Sequence, residues 1–155
     1  MQPGSPIGVF DSGIGGLSIL RALRAELPGE DFVYFSDAGH APYGERDDAF
    51  VAQRSAGIAR ALVDGHGIKA LVIACNTATA AAVQLLREAH GHALPVVGVE
   101  PALRPAASLT RTRRVAVFAT RGTLASAKFR ALHDSLAGHA EFLLQPCDGL
   151  AVMSQ

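Results

Sequence analysis

Short apolar runs alternate with longer stretches of helical periodicity along the whole chain. Ile7 to Phe10 is a compact apolar run, and Asp11-Ser12-Gly13-Ile14-Gly15-Gly16 after it reads as a turn. Leu17, Leu20, Leu23 and Leu27 then recur at helical spacing until Pro28-Gly29 stops them. Asp31 to Phe35 reads as a strand that ends at Ser36-Asp37, with a loop through Pro42-Tyr43-Gly44. Arg46 to His66 carries an amphipathic helical pattern closed by Gly65 and Gly67. Ala70 to Ala74 is a third strand, 77–89 an alanine-rich helix, and Pro95 to Val99 a fourth strand. A short helix over 102–109, a fifth strand over 115–119, a helix over 124–136 and a sixth strand over 141–144 follow, and Asp148 is placed to cap a last helix. Strands separated by helices pair in parallel through right-handed crossovers. The pattern therefore predicts an α/β fold: a doubly wound parallel sheet domain over 1–99, followed by the start of a second similar α/β domain over 100–155, with the break at Val99-Glu100-Pro101.

Composition narrows the function classes. The 155 residues are 49% hydrophobic and 18% charged, which suits a packed core and not a disordered chain. Fourteen basic residues balance fourteen acidic ones, so there is no electrostatic footprint for nucleic acid or an anionic membrane. No apolar stretch approaches the roughly 18 residues a membrane span needs. Met1 to Pro6 lacks the apolar core of a secretory signal. Cys75 and Cys147 form no CxxC pair, which argues against a zinc site or disulfide framework and for a reducing, cytoplasmic setting. The six histidines show no metal-ligand spacing. The Gly13-Ile14-Gly15 turn fails as a dinucleotide fingerprint because Ser18 stands at the third glycine position.

The candidate chemistry repeats by position. Asp11-Ser12, Asp37 with Tyr43-Gly44, Cys75-Asn76-Thr77, and Thr120 with Thr123 all follow strands, and in a parallel sheet those ends share one edge. Carboxylates, a thiol, an amide and hydroxyls would converge there with helix N-termini, an arrangement suited to a small anionic ligand. Taken singly, each has a plainer reading. Asp11 reads equally as a helix cap, Tyr43 as a packed turn aromatic, and Asn76, Thr77, Thr120 and Thr123 as ordinary residues after a strand. Cys75 alone reads more often as a small buried hydrophobe than as a catalyst, and Cys147 as structural. A thiol at a helix N-terminus is expected to have a lowered pKa.

Together the motifs are specific. Phe10-Asp11-Ser12-Gly13-Ile14-Gly15-Gly16, Asp37 through Tyr43-Gly44, Ala74-Cys75-Asn76-Thr77-Ala78 and Ala119-Thr120-Arg121-Gly122-Thr123 resemble the bacterial glutamate racemases of the aspartate/glutamate racemase family, in order, spacing and strand-end placement. The resemblance implies a cofactor-independent racemase that interconverts L- and D-glutamate for peptidoglycan synthesis. Its substrate lies between two similar domains and two cysteines face the α-carbon from opposite sides. It implies Cys75 and Asp11 as catalytic groups, and Asp11, Ser12, Tyr43, Gly44, Asn76, Thr77, Thr120 and Thr123 as substrate contacts. The implied partner is glutamate, with a homodimer in the intact enzyme and no metal. The family's second cysteine lies in a Gly-Cys-Thr-His motif that this sequence lacks. The chain accordingly reads as the N-terminal part of such an enzyme, inactive by itself. Two alternatives stay open: an aspartate or hydantoin racemase of the same superfamily, or a non-catalytic domain that binds small anions.

Overall fold

The computed structural model describes residues 4–147. The predicted cap at Asp148 lies outside them. Four strands, β1 (Ile7–Asp11), β2 (Phe32–Ser36), β3 (Ala70–Ile73) and β4 (Val96–Gly98), form one parallel sheet in the order β2-β1-β3-β4. The crossovers are α1 (Gly16–Glu26), α2 (Asp48–His66) and α3 (Asn76–His90). After α4 (Leu103–Leu109), β5 (Arg114–Ala119) and β6 (Glu141–Pro146) pair in parallel as a second, two-stranded sheet.

Period-two alternation divides the four-stranded sheet between its helices, so it is wound on both faces. Ile7 and Val9 of β1, Val72 of β3, and Phe32 and Tyr34 of β2 pack with Leu20 and Leu23 of α1. Phe10, Leu71 and Ile73 point the other way and pack with Val51, Ile58 and Leu62 of α2 and Ala78, Ala82 and Leu86 of α3. Central strands buried on both faces read as continuous apolar runs, which is why β1 and β3 stood out in the sequence. The second sheet has its own small core of Leu103, Val117, Phe129 and Leu136. Phe118 and Leu143, on its other face, are exposed.

Three departures from expectation have a clear local cause. The second helix starts at Asp48, not Arg46, because the Asp47 carboxylate accepts the Phe50 N–H at 2.7 Å and caps it there. The same helix runs through Gly65 and ends at Gly67 alone, which takes the left-handed φ of 59°. The expected single helix over 124–136 is two: α5 (Arg121–Ala125) and α6 (Ala127–Asp134). Ser126 between them is extended, and its hydroxyl accepts the Phe129 N–H at 3.1 Å while donating to the Thr123 carbonyl at 2.8 Å. One serine thus ends one helix and begins the next, through the local side-chain bonding that makes serine a poor interior helix residue.

Candidate functional site

The carboxyl ends of β1 and β3 and the exposed edge of β5 enclose an open cleft of about 690 Å³. Asp11, Ser12, Tyr43, Gly44, Cys75, Asn76, Thr77, Thr120 and Thr123 all line it, so the fold brings together these strand-end residues, though not Asp37. Cys147, by contrast, is absent from the lining; its thiol donates to the Gln145 carbonyl at 3.6 Å.

Cys75 follows β3 and is itself the N-cap of α3. Its sulfur accepts the Ala78 N–H at 3.4 Å and lies 3.5 Å from the Ser12 hydroxyl. Asn76 is exposed and faces the cleft. The lowered thiol pKa expected from the helix terminus is not found. Burial pushes the Cys75 thiol up, and the nearby Asp11 charge adds to the rise. Hydrogen bonds from Ser12 and from the Ala78 N–H oppose it and lose. Only 8% of Cys75 is exposed, and desolvation of a thiolate outweighs a few dipoles.

Asp11 proves to be both a cap and a cleft residue. Its Oδ2 accepts the N–H groups of Gly13 (3.2 Å) and Gly16 (2.9 Å), closing the turn into α1 from outside the helix. A Cβ at Gly16 would lie 2.6 Å from the Asp11 Cβ, so only glycine lets the chain pass there.

Asp37 does not join the cleft. Its buried carboxylate takes Arg54 Nη2 at 2.6 Å and Nε at 3.0 Å, the Tyr43 hydroxyl at 2.6 Å, and His40 Nδ1 at 3.0 Å. The expectation that it would converge with Asp11 is corrected: Asp37 anchors the Tyr43-Gly44 turn from behind. Tyr43 is buried, and its hydroxyl donates to Asp37. Its phenol pKa is raised by burial and by that same bond. What the turn presents next to the cleft is Gly44, where a Cβ would lie 2.4 Å from Thr120 Cγ2 and 2.6 Å from its Cβ. Thr120 therefore seats the second sheet's loop directly on the backbone of the first.

Thr120 also caps α5, accepting the Thr123 N–H at 3.3 Å. Its hydroxyl meets those of Thr123 (3.0 Å) and Thr77 (3.3 Å), and Thr77 and Thr123 are 3.4 Å apart. This hydroxyl triangle joins the N-termini of α3 and α5 at the cleft. Among the described residues, no group of three or more His, Cys, Asp or Glu is placed to hold a metal, and no helix is long and apolar enough to cross a membrane.

Sequence reasoning missed Arg54, which sits in the middle of a helix with no local signal of its partner. It also missed Tyr34 and Ser36, whose hydroxyls both donate to the Gly13 carbonyl, at 3.2 and 2.7 Å. Their i, i+2 placement at the end of a strand was the available clue, since it aims both at the same face.

The Gly44 contact yields a direct expectation. Gly44→Ala should cost about 1–3 kcal/mol by overpacking, and Thr120→Ser on that background should recover part of it by removing Cγ2. Urea unfolding of the two variants checks this, and an unchanged midpoint for Gly44→Ala refutes the close seat.

Fold and cleft together define a parallel α/β protein with a thiol at the strand-end edge. The family model of Asp/Glu/Hydantoin racemase matches residues 7–152, and the chain belongs to that family. The glutamate racemase of Ralstonia nicotianae is 56% identical over 146 residues, which is 94% of this chain and 52% of that protein. That of Ectopseudomonas mendocina is 52% identical over 149 residues, 96% of this chain and 56% of its own length. Among solved structures, Escherichia coli glutamate racemase in complex with L-glutamate and the activator UDP-MurNAc-Ala matches with a TM-score of 0.87 at 34% identity, over 97% of this chain and 56% of that one. Francisella tularensis glutamate racemase in complex with D-glutamate matches at 0.78 and 35% identity, over 97% and 56%. The chain thus spans about half the length of the curated relatives it matches.

Proposed function

We propose that the protein serves the cofactor-independent interconversion of L- and D-glutamate, supplying in Cys75 one of the two thiols that work on opposite faces of the α-carbon. The observation that carries this reading is the placement of Cys75: a strand-end thiol bonded to Ser12, in a cleft also lined by Asn76 and the Thr77–Thr120–Thr123 hydroxyls. The thiolate removes the α-proton and the second thiol returns one to the other face. A raised thiol pKa suits this step, since a more basic thiolate narrows the gap to a very weak carbon acid. The carbanionic intermediate needs fixed donors, and the hydroxyls and the α3 N-terminus supply them. Asp11 assists proton movement at Cys75. Ser12, Asn76, Thr77, Thr120 and Thr123 hold the substrate with the backbone of the Tyr43-Gly44 turn. Residues 1–99 make up the first domain and 100–155 belong to a second of similar kind, with the substrate between them. The relatives' names and the glutamate bound to two of the neighbours support this choice over aspartate or a hydantoin. The corresponding role is D-glutamate supply for peptidoglycan in the cytoplasm, by an enzyme that works as a homodimer.

Protection of Cys75 from iodoacetamide is the test, read by peptide mass with Cys147 as internal control. Glutamate is expected to slow alkylation of Cys75 alone, and more than aspartate or hydantoin does. Stronger protection by either of those reassigns the substrate, and no protection by any of them removes the basis for the reading.

A further inference from the structure

Gly13 is held at both of its backbone polar groups. Its N–H is bound by Asp11 Oδ2 at 3.2 Å, and its carbonyl accepts the Ser36 hydroxyl at 2.7 Å and the Tyr34 hydroxyl at 3.2 Å. The two hydroxyls come from adjacent same-face positions of β2, which lies in register beside β1 with Asp11 opposite Ser36. A Cβ at Gly16 would lie 3.0 Å from the Tyr34 hydroxyl, so the far end of the same turn also rests on it. Ser12, the residue next to the clamped peptide, meets Cys75: its hydroxyl lies 3.5 Å from the sulfur.

We propose that Tyr34 and Ser36 are positioning residues: by clamping the Gly13 carbonyl they hold the Ser12 loop against Cys75, so that the Ser12 hydroxyl stabilises the thiolate. The catalytic meaning of this rests on the role proposed for Cys75, but the clamp itself does not. The argument follows from the balance at the sulfur. Burial and the Asp11 charge disfavour the thiolate, while the Ser12 hydroxyl and the Ala78 N–H favour it. The Ala78 bond belongs to α3 and stays wherever the loop goes. The Ser12 bond depends on where the loop lies, and a turn carrying Gly13, Gly15 and Gly16 has little stiffness of its own. Asp11 secures only the N–H side of it. A drift of half an ångström at Ser12 is enough to break contacts as long as 3.5 Å. Tyr34 fits a passive anchoring part, since burial, with the Asp11 and Cys75 charges adding, raises its phenol to about 12 and keeps it a neutral donor across the working range.

The experiment is the pH profile of Cys75 alkylation by iodoacetamide in the protein, in Tyr34→Phe, in Ser36→Ala and in the double variant, with Cys147 as internal control. The double variant is expected to move the Cys75 midpoint to higher pH, slowing alkylation at pH 8 by about threefold or more, since one pKa unit is tenfold in thiolate. Cys147 should not change. Tyr34→Phe with Ser36→Thr, which keeps one donor, should fall between. An unmoved midpoint in the double variant overturns the proposal. So does a midpoint moved to lower pH, which is what mere loosening and entry of water at a buried thiol produces. Because no glutamate is present, failure here is distinct from failure of the racemase reading, which is judged by substrate protection.

Discussion

Arg54→Met is expected to destabilise the protein by about 3 kcal/mol at pH 7. Asp37 is buried behind the cleft, and Arg54 supplies two of its four hydrogen bonds in a bidentate grip. Removing one partner of such a pair leaves a charge with little access to water, which costs 3–5 kcal/mol when burial is complete. The Arg54 side chain keeps 32% of its exposure, which puts the expectation at the lower end. Tyr43 and His40 remain on the carboxylate and limit the damage. Asp37→Asn on the Arg54→Met background removes the stranded charge and should recover a substantial part of the loss. Urea unfolding measures all three, and a loss below about 1 kcal/mol in the single variant would show that the pair is not holding the turn.

The same residue sets an acid limit. Burial pushes the Asp37 carboxyl up, but the bonds from Arg54, Tyr43 and His40 outweigh it and leave the pKa below the ordinary carboxylate value. A carboxyl with a lower pKa folded than unfolded contributes stability above the unfolded value of about 3.9, and that contribution is lost as pH falls through the folded value. The gap between the protein and Arg54→Met should therefore be widest near neutrality and narrow below pH 4.

Incubation with glutamate in heavy water is expected to place deuterium on the α-carbon of one enantiomer, with no inversion, and Cys75→Ala should abolish the exchange. Inversion by two bases needs a proton donor on each face of the substrate. Among the described residues the cleft holds one thiol, because Cys147 lies outside its lining. Cys75 can take the α-proton and return a solvent-exchanged one to the same face. The substitution removes the proposed base, so the loss should be at least the 10²–10⁴-fold typical of general acid–base groups. The raised thiol pKa gives the pH dependence: exchange should climb with pH through and beyond the ordinary thiol value of about 8.5. Mass spectrometry after chiral separation reads exchange, and circular dichroism reads inversion. Sustained inversion by the 155-residue chain would contradict the one-thiol cleft. No exchange in either enantiomer would remove Cys75 from the role of base.

These expectations rest on contacts between residues far apart in sequence, and they mark where sequence reading stopped. The strands were legible because β1 and β3 are buried on both faces and read as unbroken apolar runs. The helix boundaries at Asp47 and Ser126 were visible in principle, as cap residues, but competed with a hydrophobic pattern that ran across them. Asp11 and Asp37 could not be told apart. Both follow a strand, and only the approach of Arg54 from α2 and Tyr43 from the turn decides that one stays at the cleft while the other is neutralised behind it. Gly44 carried a motif but no reason, until Thr120 was found seated on it.

The sequence by itself determined the parallel α/β winding and the strand-end placement of Cys75, Asp11, Ser12, Asn76 and the three threonines, because hydrophobic period and turn chemistry act over a few residues. Tertiary structure alone decided the electrostatics of those groups. A helix terminus next to Cys75 is a local feature and argued for a thiolate, but burial of the sulfur in the folded core excludes water and reverses the outcome. Desolvation depends on everything that surrounds an atom, and no stretch of sequence contains that information.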